Sequence, residues 1–136
     1  MSDSENPFVL LARITVKEGM VDAYLEIAEE VDRAVENTEE GMLLHTFDRD
    51  PDDPHKFVWT EVYRKSDDFL FHADNPPVLE YVEKHAELAT HFSIEIYGNV
   101  SIEVIEKINS LEIHLKHFAS TSVGYLSLIH ISEPTR

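Results

Sequence analysis

Apolar and polar residues alternate along the first part of the chain and then repeat with a helical period. Residues 8–16 (FVLLARITV) are rich in β-branched and aromatic side chains and predict a strand with its even-numbered residues on one face. From Met20 to about Thr38 the apolar residues follow the period of an amphipathic helix. Gly41 is a natural stop for that helix. The pattern therefore predicts an initial strand followed by a long helix.

A hairpin is predicted next. Residues 42–50 and 56–64 each alternate between apolar and polar positions, which indicates two strands. The residues between them, 50–54, are Asp-Pro-Asp-Asp-Pro, a composition typical of a turn. The two strands are therefore expected to pair through a long turn.

The remaining elements are shorter. Ser66 is a candidate N-cap, because its hydroxyl group is followed by two acidic residues. The Asn-Pro-Pro sequence at residues 75–77 interrupts the helix, and a further helix is predicted from about Val78 to Leu88. A strand, a short helix and a possible last strand are then predicted at residues 92–97, 101–109 and 113–118.

The element order β-α-β-β-α-α-β-α-β indicates an α+β fold of the ferredoxin-like, split βαβ plan. In that plan helices cover one face of an antiparallel sheet. The predicted strands carry apolar residues on both faces, so the second face also needs a cover. We expect a second subunit to pack there sheet to sheet, which predicts a homodimer.

Composition narrows the classes of function. With 136 residues the chain is long enough for one domain, and the absence of cysteine excludes disulfides, zinc–thiolate sites, iron–sulfur clusters and a cysteine nucleophile. The net charge of −16 argues against nucleic acid and anionic membrane surfaces as partners. The polar, acidic N-terminus lacks the features of a signal peptide, so a cytoplasmic location is expected.

The last eleven residues, 126–136 (LSLIHISEPTR), match a translated transposase adapter used in sequencing-library preparation. On this interpretation the natural C-terminus is lost somewhere near Tyr125 and His130 has no function; the alternative is a genuine C-terminal strand. We expect residues 1–7 to be a disordered N-terminus and residues 126–136 to be a non-native tail. The domain between them, residues 8–125, is expected to have a core (8–88) and an extension (89–125).

Several short motifs resemble those of the antibiotic biosynthesis monooxygenase domain. They are Lys-Glu-Gly before an acidic helix, Glu-Gly-Met, an Asp-Pro-rich turn, Trp-Thr-Glu-Val-Tyr, and a later Phe and His, at residues 17–19, 40–42, 50–57, 59–63, 69 and 72. The resemblance covers roughly Phe8 to Glu87, and the later part is similar to an extension in some members. The group includes quinol and anthrone monooxygenases and related dimeric α+β barrel proteins.

The resemblance implies a pocket between the helices and the sheet of each subunit. Enzymes of the family oxidise electron-rich aromatic compounds, quinols or anthrones, with O2 and without a metal or flavin. It therefore implies a small aromatic or quinone-like partner, O2 as co-substrate and no cofactor. This chemistry is plausible without a cofactor, because a deprotonated phenol can pass an electron to O2 when the protein supplies a base, a dry pocket and orientation.

Two candidate catalytic residues are Glu61 and His72. Glu61 lies on a largely aromatic strand face, where its carboxylate would be partly desolvated. It could act as a base or orient His72; alternatively, it pairs with Arg13 or a helix N-terminus. His72 matches the family's histidine, and an imidazole is a natural base near neutral pH. Alternatively, His72 is structural and hydrogen-bonds Glu61.

Candidate substrate-binding residues flank these two. Trp59 and Tyr63 could line an aromatic pocket, and the Tyr63 hydroxyl could bind a phenolic oxygen; plain core packing is the alternative. His45 could point into the same cavity or face the sheet edge. Phe69 is expected to line the pocket through the resemblance.

The other ionisable residues are expected outside the pocket. His85 and His91 are predicted at the surface, and His114 and His117 fall on opposite faces of a strand, so no metal site is predicted. The remaining carboxylates are expected on solvated helix faces. Two other functions stay open: an isomerase or lyase acting on a small oxygenated metabolite, and a non-catalytic protein that binds a small ligand.

Overall fold

The structure is a computed structural model that describes residues 5–127. The suspected adapter segment lies outside the described residues from position 128 onward. The predicted element order is confirmed: β1 (Phe8–Val16), α1 (Val21–Thr38), β2 (Met42–Arg49), β3 (Lys56–Tyr63), α2 (Ser66–Asp74), α3 (Pro76–Leu88), β4 (Ala89–Tyr97), α4 (Ile102–Ser110) and β5 (His114–Phe118).

The five strands form one sheet in the order β2-β3-β1-β4-β5. The central strand β1 pairs antiparallel with both β3 and β4, so that Ala12 lies opposite Trp59 on one side and Ile94 on the other. The last pair, β4 with β5, is parallel. The sheet is therefore mixed, because α4 forms the crossover that parallel neighbours require. The predicted α+β, ferredoxin-like fold is confirmed. The parallel β4–β5 pair is an addition to the antiparallel sheet that was predicted.

One face of the sheet carries most of the core. The even-numbered side chains of β1 and the odd-numbered side chains of β3 point towards the helices and are buried. On the opposite face Leu11 is half-buried and Arg13 is exposed, with Arg13 Nε 2.6 Å from Glu95 Oε2. The helices thus cover a single face, as the strand pattern predicted.

The two helices next to the core begin differently from the prediction. Ser66 does not cap α2; Lys65 is the N-cap, and Ser66 is fully buried as the first helical residue. Its Oγ atom accepts a hydrogen bond from the backbone N–H of Ser101 at 3.0 Å, which ties α2 to the start of α4. The helix α3 starts at Pro76 rather than Val78, because proline is tolerated in a first helical turn.

Strand β4 begins at Ala89, three residues before the predicted start, because Ala89 pairs with Val16 beyond a register shift in β1. Helix α4 and strand β5 each differ from the prediction by one residue. Among residues 5–127 no helix combines the length and the apolar content needed to cross a bilayer.

Candidate functional site

A cavity of about 80 Å³ lies between the covered face of the sheet and helices α2 and α3. Its walls are mostly apolar. Two imidazoles and one carboxylate also line it, supplied by β2, α2 and β3: His45, His72 and Glu61. An apolar cavity with a few polar groups in one place is the usual form of a small-molecule site.

Glu61 is held in the wall by Tyr63. The two residues are two apart on β3 and so share a face, and the Tyr63 hydroxyl donates to Glu61 Oε1 at 2.5 Å. Burial and the charge of Glu61 raise the pKa of Tyr63 well above its ordinary value, so Tyr63 remains a proton donor. Tyr63 is fully buried behind Glu61 rather than in the cavity wall. The expected alternative pairing of Glu61 with Arg13 is wrong, because Arg13 lies on the other face of the sheet and pairs with Glu95.

His72 is held by a different carboxylate from the one expected. Its Nδ1 atom lies 2.9 Å from Glu39 Oε1 and 3.0 Å from Glu39 Oε2. Glu39 is the C-cap residue of α1, is only 7% exposed, and also accepts a hydrogen bond from Asn75 Nδ2 at 2.9 Å. The predicted hydrogen bond between His72 and Glu61 is therefore wrong, and so is the expectation that carboxylates such as Glu39 are solvated.

The same contacts decide the protonation of His72. Burial alone would lower the pKa of the imidazole, but the hydrogen bond to Glu39 and the charges of Glu61 and Glu39 raise it above its ordinary value. Because an ionised carboxylate only accepts, the Nδ1 atom of His72 carries a proton. Within residues 5–127 the Nε2 atom has no hydrogen-bond partner and is left for a ligand in the cavity.

His45 lies in the cavity wall, not at a free sheet edge. Its Nδ1 atom is 2.8 Å from Asp32 Oδ1 on α1, and its Nε2 atom is 3.8 Å from Glu61 Oε2. The ring stacks on Trp59 with 4.4 Å between the ring centroids. His45 and His72 are 6.1 Å apart by the same measure, so the two imidazoles are neighbours in the cavity wall.

A buried chain of hydrogen bonds leads away from the cavity. Trp59 Nε1 donates to the Tyr81 hydroxyl at 2.9 Å, the Tyr81 and Tyr24 hydroxyls are bonded to each other, and the Tyr24 hydroxyl is 2.7 Å from His85 Nδ1. Indole N–H can only donate, so Tyr81 accepts from Trp59, while the direction of the other two hydrogen bonds follows the tautomer of His85.

His85, the last group of this chain, is a neutral imidazole. Burial, with a smaller contribution from His91, lowers the pKa of His85 to about 4 and keeps the ring neutral. The surface location predicted for His85 is therefore wrong, since it is 8% exposed. The spacing of Tyr81 and His85 on one face of α3 was the signal available in the sequence.

The structure thus brings five of the six proposed site residues to one cavity. Phe69, on α2, is buried in its wall beside the others: His45, Trp59, Glu61, Phe69 and His72. His114 and His117 lie on β5, where their odd spacing places them on opposite faces. Across residues 5–127 no group of three or more His, Asp, Glu or Cys side chains is arranged to hold a metal ion.

The family model described as antibiotic biosynthesis monooxygenase matches residues 7–84, more than half of the chain. The chain belongs to the antibiotic biosynthesis monooxygenase family. Comparison with curated protein sequences gives no match.

Solved structures share the fold of this family member. A proposed antibiotic biosynthesis monooxygenase from Nitrosomonas europaea is 20% identical, with a TM-score of 0.65, and the overlap covers 71% of this chain and 93% of that one. PA3566 from Pseudomonas aeruginosa is 22% identical, with a TM-score of 0.62 and coverages of 68% and 93%. A proposed family member from Bacteroides thetaiotaomicron is 20% identical, with a TM-score of 0.62 and coverages of 67% and 87%.

The match to the antibiotic biosynthesis monooxygenase family ends inside α3. His45, Glu61 and His72 lie within the matched region, and so does Glu39. The later cavity residues Phe92, Leu111 and Ile113 lie beyond it. One part of the cavity wall is therefore supplied by chain that follows the matched region.

The pair of Glu39 and His72 can be tested by substitution. In Glu39→Gln the pKa of His72 is expected to fall, because the amide carries no charge and burial then dominates. Titration of the His72 ring signals by NMR measures this. The exposed neighbouring residue offers a matched control, Glu40→Gln, which should leave His72 unchanged.

Glu39→Gln should also lower the free energy of unfolding by about 1.5–3 kcal/mol at acid pH. Because the folded-state pKa of His72 lies above its unfolded value, this stabilisation is fully present below the unfolded pKa and is lost as the pH rises through the folded pKa. Denaturant unfolding at several pH values provides the measurement. An identical His72 titration in Glu39→Gln and the parent chain would show that the pair does not control the imidazole.

Proposed function

We propose that this family member is a cofactor-independent monooxygenase that oxidises a small aromatic or quinol-type substrate with O2. The observation that carries the proposal is the His72 imidazole, fixed through Nδ1 by a buried carboxylate while Nε2 is left for the cavity. A base with a fixed tautomer beside an apolar space suits a phenolic substrate. The names of the structural neighbours from Nitrosomonas europaea and Bacteroides thetaiotaomicron point to the same class of reaction.

The first step is removal of the phenolic proton. The substrate hydroxyl donates to His72 Nε2, and the resulting imidazolium is stabilised by Glu39 on its other nitrogen. The apolar walls exclude water, so the phenolate keeps its electron density available for O2. In this scheme His72 is the catalytic base and Glu39 is a positioning residue.

The second stage joins oxygen to carbon. The phenolate passes one electron to O2, which gives superoxide and a phenoxyl radical, and these combine to form a C–O bond at a ring carbon. Loss of the proton on that carbon then breaks the O–O bond. One oxygen atom stays as the quinone carbonyl. The outer oxygen, protonated by the His72 imidazolium, leaves as hydroxide and becomes water with the ring-carbon proton, so a phenol and O2 give a quinone and water.

Glu61 is suited to the second proton transfer. Its Oε1 atom is occupied by the Tyr63 hydroxyl, whereas its Oε2 atom faces His45 Nε2 at 3.8 Å, which is too long for a direct hydrogen bond. A substrate or water placed between them can therefore contact both groups. Glu61 receives the ring-carbon proton, and Trp59 contributes an aromatic part of the cavity wall for the substrate ring.

The proposal predicts oxygen uptake that depends on His72 and Glu61. With a panel of hydroquinones, phenols and anthrone, an oxygen electrode should record consumption above the spontaneous rate for at least one compound. His72→Ala and Glu61→Gln should each lower that rate by about 10²–10⁴-fold, the usual contribution of a general base. His55→Ala, in the turn between β2 and β3, is the matched histidine control and should retain the rate.

Three results would contradict the proposal. Turnover that continues without oxygen would indicate proton-transfer chemistry of the isomerase or lyase type. Thermal stabilisation by a ligand with no turnover under any condition would indicate a binding protein. Uptake that is unchanged in both variants would remove His72 and Glu61 from the mechanism.

We also propose that a second copy of the chain covers the open face of the sheet. That face combines apolar side chains on its central strands with polar groups that already satisfy each other. Arg13 pairs with Glu95, and Tyr97 donates to Glu95 Oε1 at 2.6 Å. Leu11 and Val58 lie half-buried among them, which fits a face that packs against a matching sheet.

Sedimentation equilibrium tests the dimer. The chain mass is 15.6 kDa, and the proposal predicts twice that value for the parent protein. Leu11→Asp places a charge in the centre of the open face and should give the monomer mass, whereas Ile102→Asp, at an exposed position on α4, should not. A monomer in the parent protein at micromolar concentration would contradict the dimer.

A further inference from the structure

The exposed side chains in the cavity wall mark where it meets solvent. Of the side chains that line it, Val82 on α3 and Leu111 after α4 are the two that are exposed, at 42% and 50%. The others are buried or half-buried. The mouth of the cavity therefore lies between α3 and the α4–β5 turn, residues 111–113.

This turn is anchored at both ends. Before it, α4 buries Val104 and Ile108 completely, and Lys107 Nζ contacts Asp74 Oδ1 at 2.7 Å at the end of α2. After it, β5 pairs along its length with β4. Between these anchors Glu112 has a φ of 58°, in the left-handed region that non-glycine residues rarely adopt. A turn held in this conformation from both sides is a defined wall rather than a loose loop.

The size of the cavity limits what this wall admits. The cavity holds about 80 Å³, about half the volume of an engineered cavity of about 150 Å³ in another protein that binds benzene. A single aromatic ring therefore fits only with its outer edge in the mouth, between Val82 and Leu111. Leu111 and Ile113 line the cavity beside this mouth, so a second fused ring would have to fit against them.

We propose that the α4–β5 turn determines substrate size, and that through Leu111 and Ile113 it restricts the cavity to single-ring phenols and quinols. This inference rests on the proposed function only in taking the cavity as the substrate site. It assigns specificity to a segment beyond the family match, which ends at residue 84.

Trp59 provides a readout that needs no turnover, because it is the only tryptophan and lines the cavity. The probes are 4-nitrophenol and 4-nitro-1-naphthol, which differ by one fused ring and quench indole fluorescence. Trp59→Phe supplies the background. The parent protein should bind 4-nitrophenol at least about 10-fold more tightly than 4-nitro-1-naphthol. This ratio is the low end of the discrimination that an apolar pocket achieves between ligands of different size.

The double variant Leu111→Ala/Ile113→Ala should reduce or reverse this ratio by improving naphthol binding. Ile102→Ala, an exposed apolar residue of α4 outside the cavity, should leave the ratio unchanged. If the double variant does not fold, Leu111→Ala alone, at an exposed position, should shift the ratio in the same direction.

The outcomes separate this inference from the proposed function. Tight 4-nitrophenol binding with a ratio that the turn variants do not change overturns the role of the turn and leaves the cavity as a site. A changed ratio without oxygen uptake overturns the monooxygenase proposal and supports the turn as a size limit. Failure of both probes to bind the parent protein overturns both.

Discussion

The buried hydrogen bond between Glu39 and His72 is the interaction on which the site depends. A carboxylate taken out of water is costly unless its oxygen atoms find donors. Glu39 finds them in His72 Nδ1 and Asn75 Nδ2, which belong to α2 and to the break before α3. The end of α1 is therefore tied to the α2–α3 junction, and the imidazole is fixed against the cavity.

The chemistry follows from what this bond does to the imidazole. With Nδ1 committed to Glu39, only Nε2 is available to a ligand, and the raised pKa makes it a stronger base. The second carboxylate, Glu61, is held separately by Tyr63 and faces His45. Two acid–base groups, His72 and Glu61, thus line one apolar cavity. Each is oriented by a hydrogen bond to a residue outside the cavity wall, His72 by Glu39 and Glu61 by Tyr63. The Trp59–Tyr81–Tyr24–His85 chain fixes the aromatic side of the same space.

Local patterns predicted the elements well because the relevant forces act over short sequence distances. The alternation in residues 8–16 and the period of α1 correspond to buried faces that the structure confirms. The Asn-Pro-Pro sequence separates α2 from α3, as predicted, because a proline ring clashes with the preceding turn of a helix. The sheet face of β3 also placed Trp59 and Glu61 together, since residues two apart on a strand share a face.

The partners of the site residues could not be predicted in this way. Glu39 lies beyond the end of α1, and nothing in its neighbours distinguishes it from the exposed acidic residues of that helix. Its contact with His72 spans 33 residues and depends on how two helices pack. The surface location predicted for His85 was wrong for the same reason. Its hydrogen-bond partner Tyr24 lies 61 residues away in the chain. Ser66 has the composition of an N-cap, but its hydroxyl is used by the distant backbone of Ser101.

The central claim is that His72, held by Glu39, takes the proton of a phenol in the cavity. The ionisation of bound 4-nitrophenol tests it directly, because the phenol and phenolate absorb at different wavelengths. At a pH where the free probe is mostly protonated, the parent protein should bind it as the phenolate, and His72→Ala should bind it as the neutral phenol. A bound probe that titrates like the free probe, or identically in both proteins, would contradict the account.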